Sequence, residues 1–465
     1  MGTRQKDPSS KGRGVKVFAV LGAVAFMAQL DLFIVNLALP DMADSFGHAS
    51  LGDLSWILNS YSIVLAALLV PAGRLADQLG RRRFFLLGVG VFTLASIICA
   101  IAPSLPVLVA GRAVQGLGAA LIVPTSLGLL FAAFAPEDHS FVVGLWAGVA
   151  AIAAASGPTV GGLLVAVDWR LIFLVNVPIG AVTLVAGLRV LPEVRAKGSR
   201  SPDVVSSLSL LAAITLLSLG LIQSGEWGWG DPRTIALLLV SAFAASVTLR
   251  RTLTHEDALI EASLFRSSRE FSTAAVALLL FFCAFASWLL VTVLFLQDAW
   301  HYGPIQTGLA VLPGPATAAV FALGAGPIVA RFGRRKPAIV GPLCFAAGSL
   351  FWLLATPSHP DYVAGFLPGL LVAGVGSGLT QAPLFASVST LVADRATTGS
   401  AVLNMCRQVG SAIGIAILVT LTAGENGSMA GWQRGWCFMA VCFIGAAVVV
   451  STSARRQPGR RSGAP

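Results

Sequence analysis

The segment GRLADQLGRRR (73–83) has a related copy later in the chain, GPIVARFGRRK (326–336). Each copy begins with a glycine and has a second glycine directly before a run of three basic residues. The copies differ at Asp77, because the second copy has Ala330 at the corresponding position. Each copy also follows a long apolar run, so the repeat predicts a chain built from two related halves.

The apolar runs around these segments determine the class of protein. The chain has 465 residues, of which 56% are hydrophobic and 11% are charged, and its mean hydropathy is +0.83. A soluble domain has about 25% charged residues, and apolar runs of about 20 residues are long enough to cross a bilayer as helices. The sequence therefore predicts an all-α polytopic membrane protein with about fourteen spans: 17–39, 54–72, 84–102, 106–131, 141–166, 170–190, 204–223, 234–249, 272–296, 305–329, 338–355, 364–388, 400–422 and 434–452.

Basic residues orient these predicted spans. If the N-terminus is inside, 26 of the 31 lysines and arginines fall on the inner side, three on the outer side and two within spans. This asymmetry follows the positive-inside rule and predicts that both termini are cytoplasmic. The net charge of +10 is then explained by contact with the lipid bilayer, and no nucleic-acid partner is implied.

The repeat and the spans together predict the domain organisation. Each copy of the repeat is placed after the second helix of a six-helix half, so two helices are inserted between the halves. The predicted units are a cytoplasmic tail (1–16), an N-terminal six-helix half (17–190), a cytoplasmic linker (191–203), the inserted helix pair (204–249), a second cytoplasmic linker (250–271), a C-terminal six-helix half (272–452) and a cytoplasmic tail (453–465).

Asp31 is the only ionisable side chain between Val17 and Pro40. A carboxylate in the membrane costs about 2.5 kcal/mol or more and usually faces a cavity or a partner. At a rise of 1.5 Å per residue, Asp31 and Arg112 lie at similar depths in the first and fourth spans, and Gln115 shares the helix face of Arg112. The hypothesis is that Asp31 and Arg112 couple proton movement to transport; the alternative is a carboxylate neutralised by packing.

Three further segments carry candidate residues. In 73–83, Asp77 with Gly73, Gly80, Arg81 and Arg82 favours an inner gate, although charge that only sets topology is the alternative. In the fifth span, the small residues around Pro158 favour close helix packing; they include Gly157, Gly161 and Gly162. In the thirteenth span, Arg407 and Gln408 form a possible polar site of the second half, and a snorkelling Arg407 is equally compatible with the sequence.

Several kinds of chemistry lack their motifs in this sequence. There is no phosphate-binding G-x-x-x-x-G-K-[ST] loop and no H-E-x-x-H metal motif, and no span holds two carboxylates. These absences argue against an enzyme and against a metal or other cofactor, and an ion gradient is then the source of energy. A membrane-embedded enzyme or receptor would need clustered catalytic side chains or a soluble domain, and the sequence shows neither.

Four motifs in order resemble the major facilitator superfamily, and within it the fourteen-span drug:proton antiporters such as the methylenomycin exporters. The motifs are the first-helix segment LDLFIVNLALP (30–40), the loop GRLADQLGRRR (73–83), the fourth-helix segment LVAGRAVQGLGAALIVP (108–124), and SGPTVGG (156–162) with DWRLIFLVNVPIG (168–180). The resemblance implies a major facilitator fold and identifies Gly157, Pro158, Gly161 and Gly162 as an antiporter motif. It implies a substrate cavity lined by Asp31, Phe33, Asn36, Arg112 and Gln115.

The sequence thus predicts proton-coupled efflux of small amphipathic drugs or antibiotics by alternating access. The alternative is an uptake or export permease for an endogenous metabolite. The expected partners are a small-molecule substrate, protons and the bilayer, with no obligate protein partner. Arginine outnumbers lysine 26 to 5, which favours a bacterial cell membrane. The second half has no acid in the middle of a span.

Overall fold

The computed structural model describes residues 8–47, 49–135, 139–195, 203–255, 262–390, 396–422 and 428–452. Within these ranges the chain is helical and contains no β-strand. The long helices are α1 (Pro8–Ser45), α2 (Leu51–Leu79), α3 (Arg81–Ala100), α4 (Leu105–Ala133), α5 (His139–Val165), α6 (Leu171–Val190), α7 (Val204–Trp227), α8 (Pro232–Thr254), α9 (Arg269–Ala299), α10 (Pro304–Leu323), α11 (Arg335–Ala355), α12 (Tyr362–Val388), α13 (Ala396–Thr422) and α14 (Met429–Thr452).

Thirteen helices in the described ranges are long and apolar enough to cross a membrane. The fifth predicted span coincides with α5, which has 27 residues and no acidic or basic side chain other than His139. The predicted fold class, an all-α bundle of about fourteen spans, is confirmed. The orientation of the termini stays a prediction.

Helix contacts group these elements into two halves. In the first half, α4 packs against α2 and α3, and α1 packs against α5 and α6. In the second half, α9 packs against α13 and α14, and α11 packs against α12 and α14. The halves meet along two seams, α2 against α13 and α5 against α10. These seams are where a transporter built from two repeats places its substrate site.

The inserted pair, α7 and α8, forms a helical hairpin on one side of the bundle. Its two helices pack against each other, and α7 also contacts both α2 and α13. The hydroxyl of Thr420 on α13 donates to the Leu221 carbonyl on α7, with an oxygen–oxygen distance of 2.6 Å. The pair is therefore attached to the α2–α13 seam.

The second half has an aromatic core. Trp288 on α9 stacks on Trp352 of α11, with ring centroids 6.0 Å apart, and Phe295 stacks on Phe366 of α12 at 6.2 Å. Rings at these separations stabilise each other beyond their buried area. This core fixes α9, and α9 in turn faces the seam between the halves.

Candidate functional site

Asp31 and Arg112 form an ion pair inside the first half. An Oδ2 atom of Asp31 lies 2.6 Å from Nη1 of Arg112, and the two side chains are 0% and 1% exposed. Removing two charges from water is costly and is offset only when further hydrogen bonds satisfy the remaining polar atoms. The surroundings of the pair supply such bonds.

Two amide side chains complete the hydrogen bonding of the carboxylate, and a serine holds both of them. Asn176 of α6 donates to Oδ1 of Asp31 at 3.1 Å, and Gln115 of α4 approaches the same oxygen at 3.5 Å. Ser96 of α3 accepts from Gln115 at 2.7 Å and from Asn176 at 3.4 Å, which holds both amides in place. Asp31 and these four residues, Ser96, Arg112, Gln115 and Asn176, are here named the carboxylate centre; together they join α1, α3, α4 and α6.

Arg112 is held from its other side by α2. Its Nε donates to the Ile57 carbonyl at 3.1 Å, and the guanidinium carbon lies 4.5 Å above the centre of the Tyr61 ring. The close approach of α2 to α4 depends on Gly116, because a Cβ there would lie 2.6 Å from the Tyr61 carbonyl oxygen. The arginine is thus fixed by a charge, a carbonyl and a π-face at once.

The closed geometry of the carboxylate centre determines what it can do chemically. Both oxygens of Asp31 accept hydrogen bonds, and the side chain has no exposed surface. A proton can reach this carboxylate only after a helix movement admits water or separates Asp31 from Arg112. The arrangement is therefore suited to a protonation step linked to a conformational change.

Two residues of the first-helix motif lie apart from the carboxylate centre. Asn36 is 4% exposed, and its amide donates to the Leu32 carbonyl of its own helix at 3.0 Å. Phe33 is half-buried and packs against α5, where a Cβ at Gly157 would lie 2.7 Å from the Phe33 Cβ. Asn36 therefore has no described hydrogen bond to Asp31, and Phe33 belongs to the contact between α1 and α5.

An ion pair joins the end of α2 to the start of α3 across Gly80. Arg81 Nε lies 2.6 Å from Oδ1 of Asp77. The chain after α6 docks on the same loop, since Glu193 accepts from the Arg82 backbone N–H at 3.2 Å. The side chain of Arg82 donates to the Leu188 carbonyl. The predicted gate residues thus lie together, with Glu193 as an additional member.

Two glycines of the fifth-helix motif permit close contacts of α5 with two different helices. A Cβ at Gly161 would lie 2.9 Å from Ile34 of α1, and a Cβ at Gly162 would lie 2.5 Å from the Pro304 carbonyl oxygen of α10. The motif glycines therefore allow α5 to pack tightly between α1 of the first half and α10 of the second.

Arg407 and Gln408 lie on α13, which forms a seam with α2. The Arg407 guanidinium carbon lies 5.5 Å from the centre of the Phe282 ring, and its Nε is buried without a hydrogen-bond partner among the described residues. Gln408 is 3% exposed and its Nε2 also lacks a described partner. Arg407 as a whole is half-buried, so a polar site of the second half and a snorkelling arginine both stay predictions.

Sequence reasoning missed four residues that the structure brings to these sites. Asn176 had a usable signal, since it is a lone amide within an apolar span. Ser96 and Tyr61 had none, because serine and tyrosine are common in spans and their partners depend on which helices are neighbours. Glu193 lies in a charged linker, where one carboxylate cannot be distinguished from a solvated one.

Fold and site together define a class of protein. Two helical halves meet along two seams, and a buried ion pair with no exposed surface lies inside one half. Intramembrane charges of this kind mark substrate or ion pathways, and paired halves with polar groups near the seam are typical of secondary transporters.

The chain belongs to the Major Facilitator Superfamily, whose family model matches residues 21–415. Multidrug resistance protein Stp of Mycobacterium tuberculosis (strain CDC 1551 / Oshkosh) is 36% identical over 406 residues, or 86% of this chain and 74% of that protein. The tetracenomycin C resistance and export protein of Streptomyces glaucescens is 35% identical over 428 residues, covering 90% and 78%. The methylenomycin A resistance protein of Bacillus subtilis (strain 168) is 33% identical over 426 residues, covering 90% and 89%.

Solved structures agree on the fold. A crystal structure of a POT family transporter in complex with a thioalcohol-conjugated peptide superimposes with a TM-score of 0.71 and 14% identity, over 94% of this chain and 95% of that one. At this identity the likeness concerns the fold alone. The predicted superfamily is confirmed, and the protein is a multi-pass bacterial membrane transporter rather than an enzyme.

Proposed function

We propose that this protein exports small amphipathic drugs or antibiotics across the cytoplasmic membrane in exchange for protons, by alternating access between its two halves. The observation that carries the proposal is the buried pair of Asp31 and Arg112, 2.6 Å apart in a membrane-spanning bundle. The three relatives named above are resistance or export proteins, which supports efflux as the direction. The substrate cavity is proposed between the halves, beside the carboxylate centre.

In the proposed mechanism the carboxylate centre alternates between two charge states. With the carboxylate ionised, Arg112 and the amides of Gln115 and Asn176 hold α1, α4 and α6 together. A proton on Asp31 removes the attraction to Arg112 and weakens those contacts, so α1 can move relative to α4. The proton enters from outside and leaves inside, and the substrate moves in the opposite direction.

The experiment uses purified protein in liposomes and compares two modes of transport. Asp31→Asn is expected to retain substrate exchange without a proton gradient and to lose uphill accumulation driven by that gradient. Asp168→Asn is the matched control, since that carboxylate is 47% exposed in the loop before α6; it should behave as the wild type. Uphill accumulation by Asp31→Asn at the wild-type rate would rule out Asp31 as the coupling residue.

Folding must be separated from coupling in this test. Breaking a buried ion pair costs about 3–5 kcal/mol when one charge is left alone, so Asp31→Asn is tested together with Asp31→Asn/Arg112→Gln. A double variant that regains thermal stability but not proton-driven accumulation supports the coupling role. Direction is tested in vesicles of both orientations, and accumulation only in the orientation that corresponds to uptake would favour the metabolite permease instead.

A further inference from the structure

A polar stripe runs along one face of α13. Asn404, Arg407, Gln408 and Ser411 have the helical spacing that places side chains on one face. Asn404 and Ser411 are satisfied within the helix, since their side chains donate to the carbonyls of Ser400 and Arg407, each at 3.0 Å. Arg407 and Gln408 are not satisfied in this way.

Arg407 is a cation without a carboxylate partner in the part of the chain that the structure describes. Its described side-chain interaction is the contact with the Phe282 ring. A ring face is a weaker partner for a guanidinium than a carboxylate is. In a membrane-spanning helix, an unneutralised arginine marks a site for a ligand or an ion.

Two amide side chains with unpartnered polar atoms lie on the helices of the same seam. Gln408 is 3% exposed and Asn59 is 0% exposed, and the Nε2 of Gln408 and both the Nδ2 and Oδ1 of Asn59 have no described partner. Buried polar groups are almost always hydrogen-bonded. Two such groups on facing helices therefore point to a partner that is not part of the described protein.

Packing contacts show that Asn59 and Gln408 share the α2–α13 seam. Gly52 of α2 faces Val419 of α13, and Asn59 follows Gly52 by two helical turns on the same face. Ala401 of α13 borders a small cavity lined by α2 residues, and Gln408 follows Ala401 by two turns. Because the two helices run antiparallel in contact, both amides lie between these two crossing points.

We propose that Arg407, Gln408 and Asn59 bind an anionic group of the exported compound, such as a phenolate, carboxylate or sulfonate. A guanidinium and two amides supply the donors that such a group accepts, and Phe282 supplies a ring against which a flat aromatic compound stacks. The proposal names the substrate class and rests on the proposed efflux function.

The test measures binding, so that it does not depend on transport. Full-length protein in nanodiscs is titrated with sulforhodamine B, an anionic dye, and with rhodamine 6G, a cationic dye of the same ring system, and fluorescence anisotropy gives each Kd. Arg407→Gln should weaken sulforhodamine B binding about tenfold or more and leave rhodamine 6G within about twofold. Arg407→Lys should fall between, since it keeps the charge but not the bidentate geometry.

Arg233→Gln is the matched control for lost charge, because that side chain is 64% exposed at the start of α8; it should change neither Kd. Equal weakening of both dyes by Arg407→Gln, an unchanged sulforhodamine B Kd, or no saturable binding of that dye to the wild type would each overturn the proposal. If the protein binds sulforhodamine B through Arg407 but exports no compound, the proposed efflux function is wrong and the proposed anion site is still supported.

Discussion

At the scale of single residues, the first-helix motif divides into two parts. Asp31 enters the carboxylate centre, whereas Asn36 donates to Leu32 within α1. Asn176, outside this motif, takes the position beside the carboxylate. Membership of the first-helix motif is therefore a poor guide to which amide acts on Asp31.

This division gives a prediction about two asparagines. Asn176→Ala removes a hydrogen bond to a charged group, worth about 1.5–3 kcal/mol, and should lower proton-driven exchange about tenfold. Asn36→Ala removes only a bond within α1 and should keep most of the activity. Initial rates in liposomes measure both, and equal losses for the two variants would contradict the assigned arrangement.

The pair of Asp31 and Arg112 was predictable because depth along a helix is one coordinate that the sequence supplies. At 1.5 Å per residue, two residues on different spans can be placed at one level without knowing the packing. The roles of Ser96 and Asn176 were not predictable in this way, because they depend on which helix faces are neighbours. Lateral packing of nearly uniform apolar helices leaves little signal in the sequence.

At the scale of helices, the repeat gives a matched pair of glycines. Gly80 has φ +125° and a Cβ there would lie 2.5 Å from Oε1 of Glu193, whereas Gly333 has φ +74° and open space around its Cβ position. Both backbones are unfavourable for other residues, by about 1–3 kcal/mol. Only at Gly80 does the missing Cβ also leave room for a docked side chain, that of Glu193.

Gly333→Ala should therefore show the backbone cost alone, while Gly80→Ala should also displace Glu193 from the start of α3. Thermal unfolding in detergent measures both. The expected result is a larger loss for Gly80→Ala, with no additional loss when Glu193→Ala is combined with it. Additive effects of Gly80→Ala and Glu193→Ala would show that Glu193 stays docked.

The α5–α10 seam gives a second prediction at this scale. Gly162→Ala places a methyl group against the Pro304 carbonyl oxygen and should cost about 1–3 kcal/mol through overpacking. Gly90→Ala is the control, because its Cβ would meet nothing within 4 Å on α3, and it should stabilise the helix by up to about 1 kcal/mol. Melting temperatures that move in the same direction for both variants would contradict the close contact.

The inserted pair is held at its linker end by Asp203 and Arg251, which lie 3.1 Å apart. Burial acts to raise the pKa of Asp203, but hydrogen bonds from Ser206 and Arg251 outweigh it and hold the pKa below its ordinary value. A depressed carboxylate pKa means that the ionised form stabilises the fold. This contribution is present above the unfolded pKa of about 3.9 and is lost as the pH falls through the folded pKa.

Asp203→Asn keeps the helix cap and removes the charge, so it isolates this contribution. The variant should melt below the wild type at pH 7, and the difference should shrink as the pH is lowered from about 5 towards 3. Asp168→Asn, at a carboxylate that is 47% exposed in the loop before α6, is the control and should change little. A difference in melting temperature that does not change with pH would show that the charge of Asp203 does not cause the loss of stability.

At the scale of the whole molecule, substrate charge decides how much of the proton gradient is used. One proton entering down one pH unit and 100 mV provides about 3.7 kcal/mol for a neutral substrate, enough for about a 500-fold gradient. When a monovalent anion leaves as the proton enters, both charges move in the direction that the membrane potential favours. The two electrical contributions and the pH difference then provide about 6 kcal/mol. A monovalent cation exchanged for one proton uses the pH difference alone.

This arithmetic gives a prediction for an anionic substrate. In liposomes without a pH difference, a potassium diffusion potential should drive sulforhodamine B transport, and rhodamine 6G exchange should not respond. Dye fluxes at several imposed potentials measure the charge moved per cycle. A sulforhodamine B flux that ignores the potential would exclude one-for-one exchange of an anion for a proton.

The contact of α7 with both α2 and α13 has a consequence for how hydrophobic compounds reach the protein from the bilayer. Along this flank, Ile222 and Leu221 occupy the place where acyl chains would otherwise touch the junction of the two halves. A compound dissolved in the bilayer therefore meets the α7–α8 hairpin before it meets the junction on this side of the bundle.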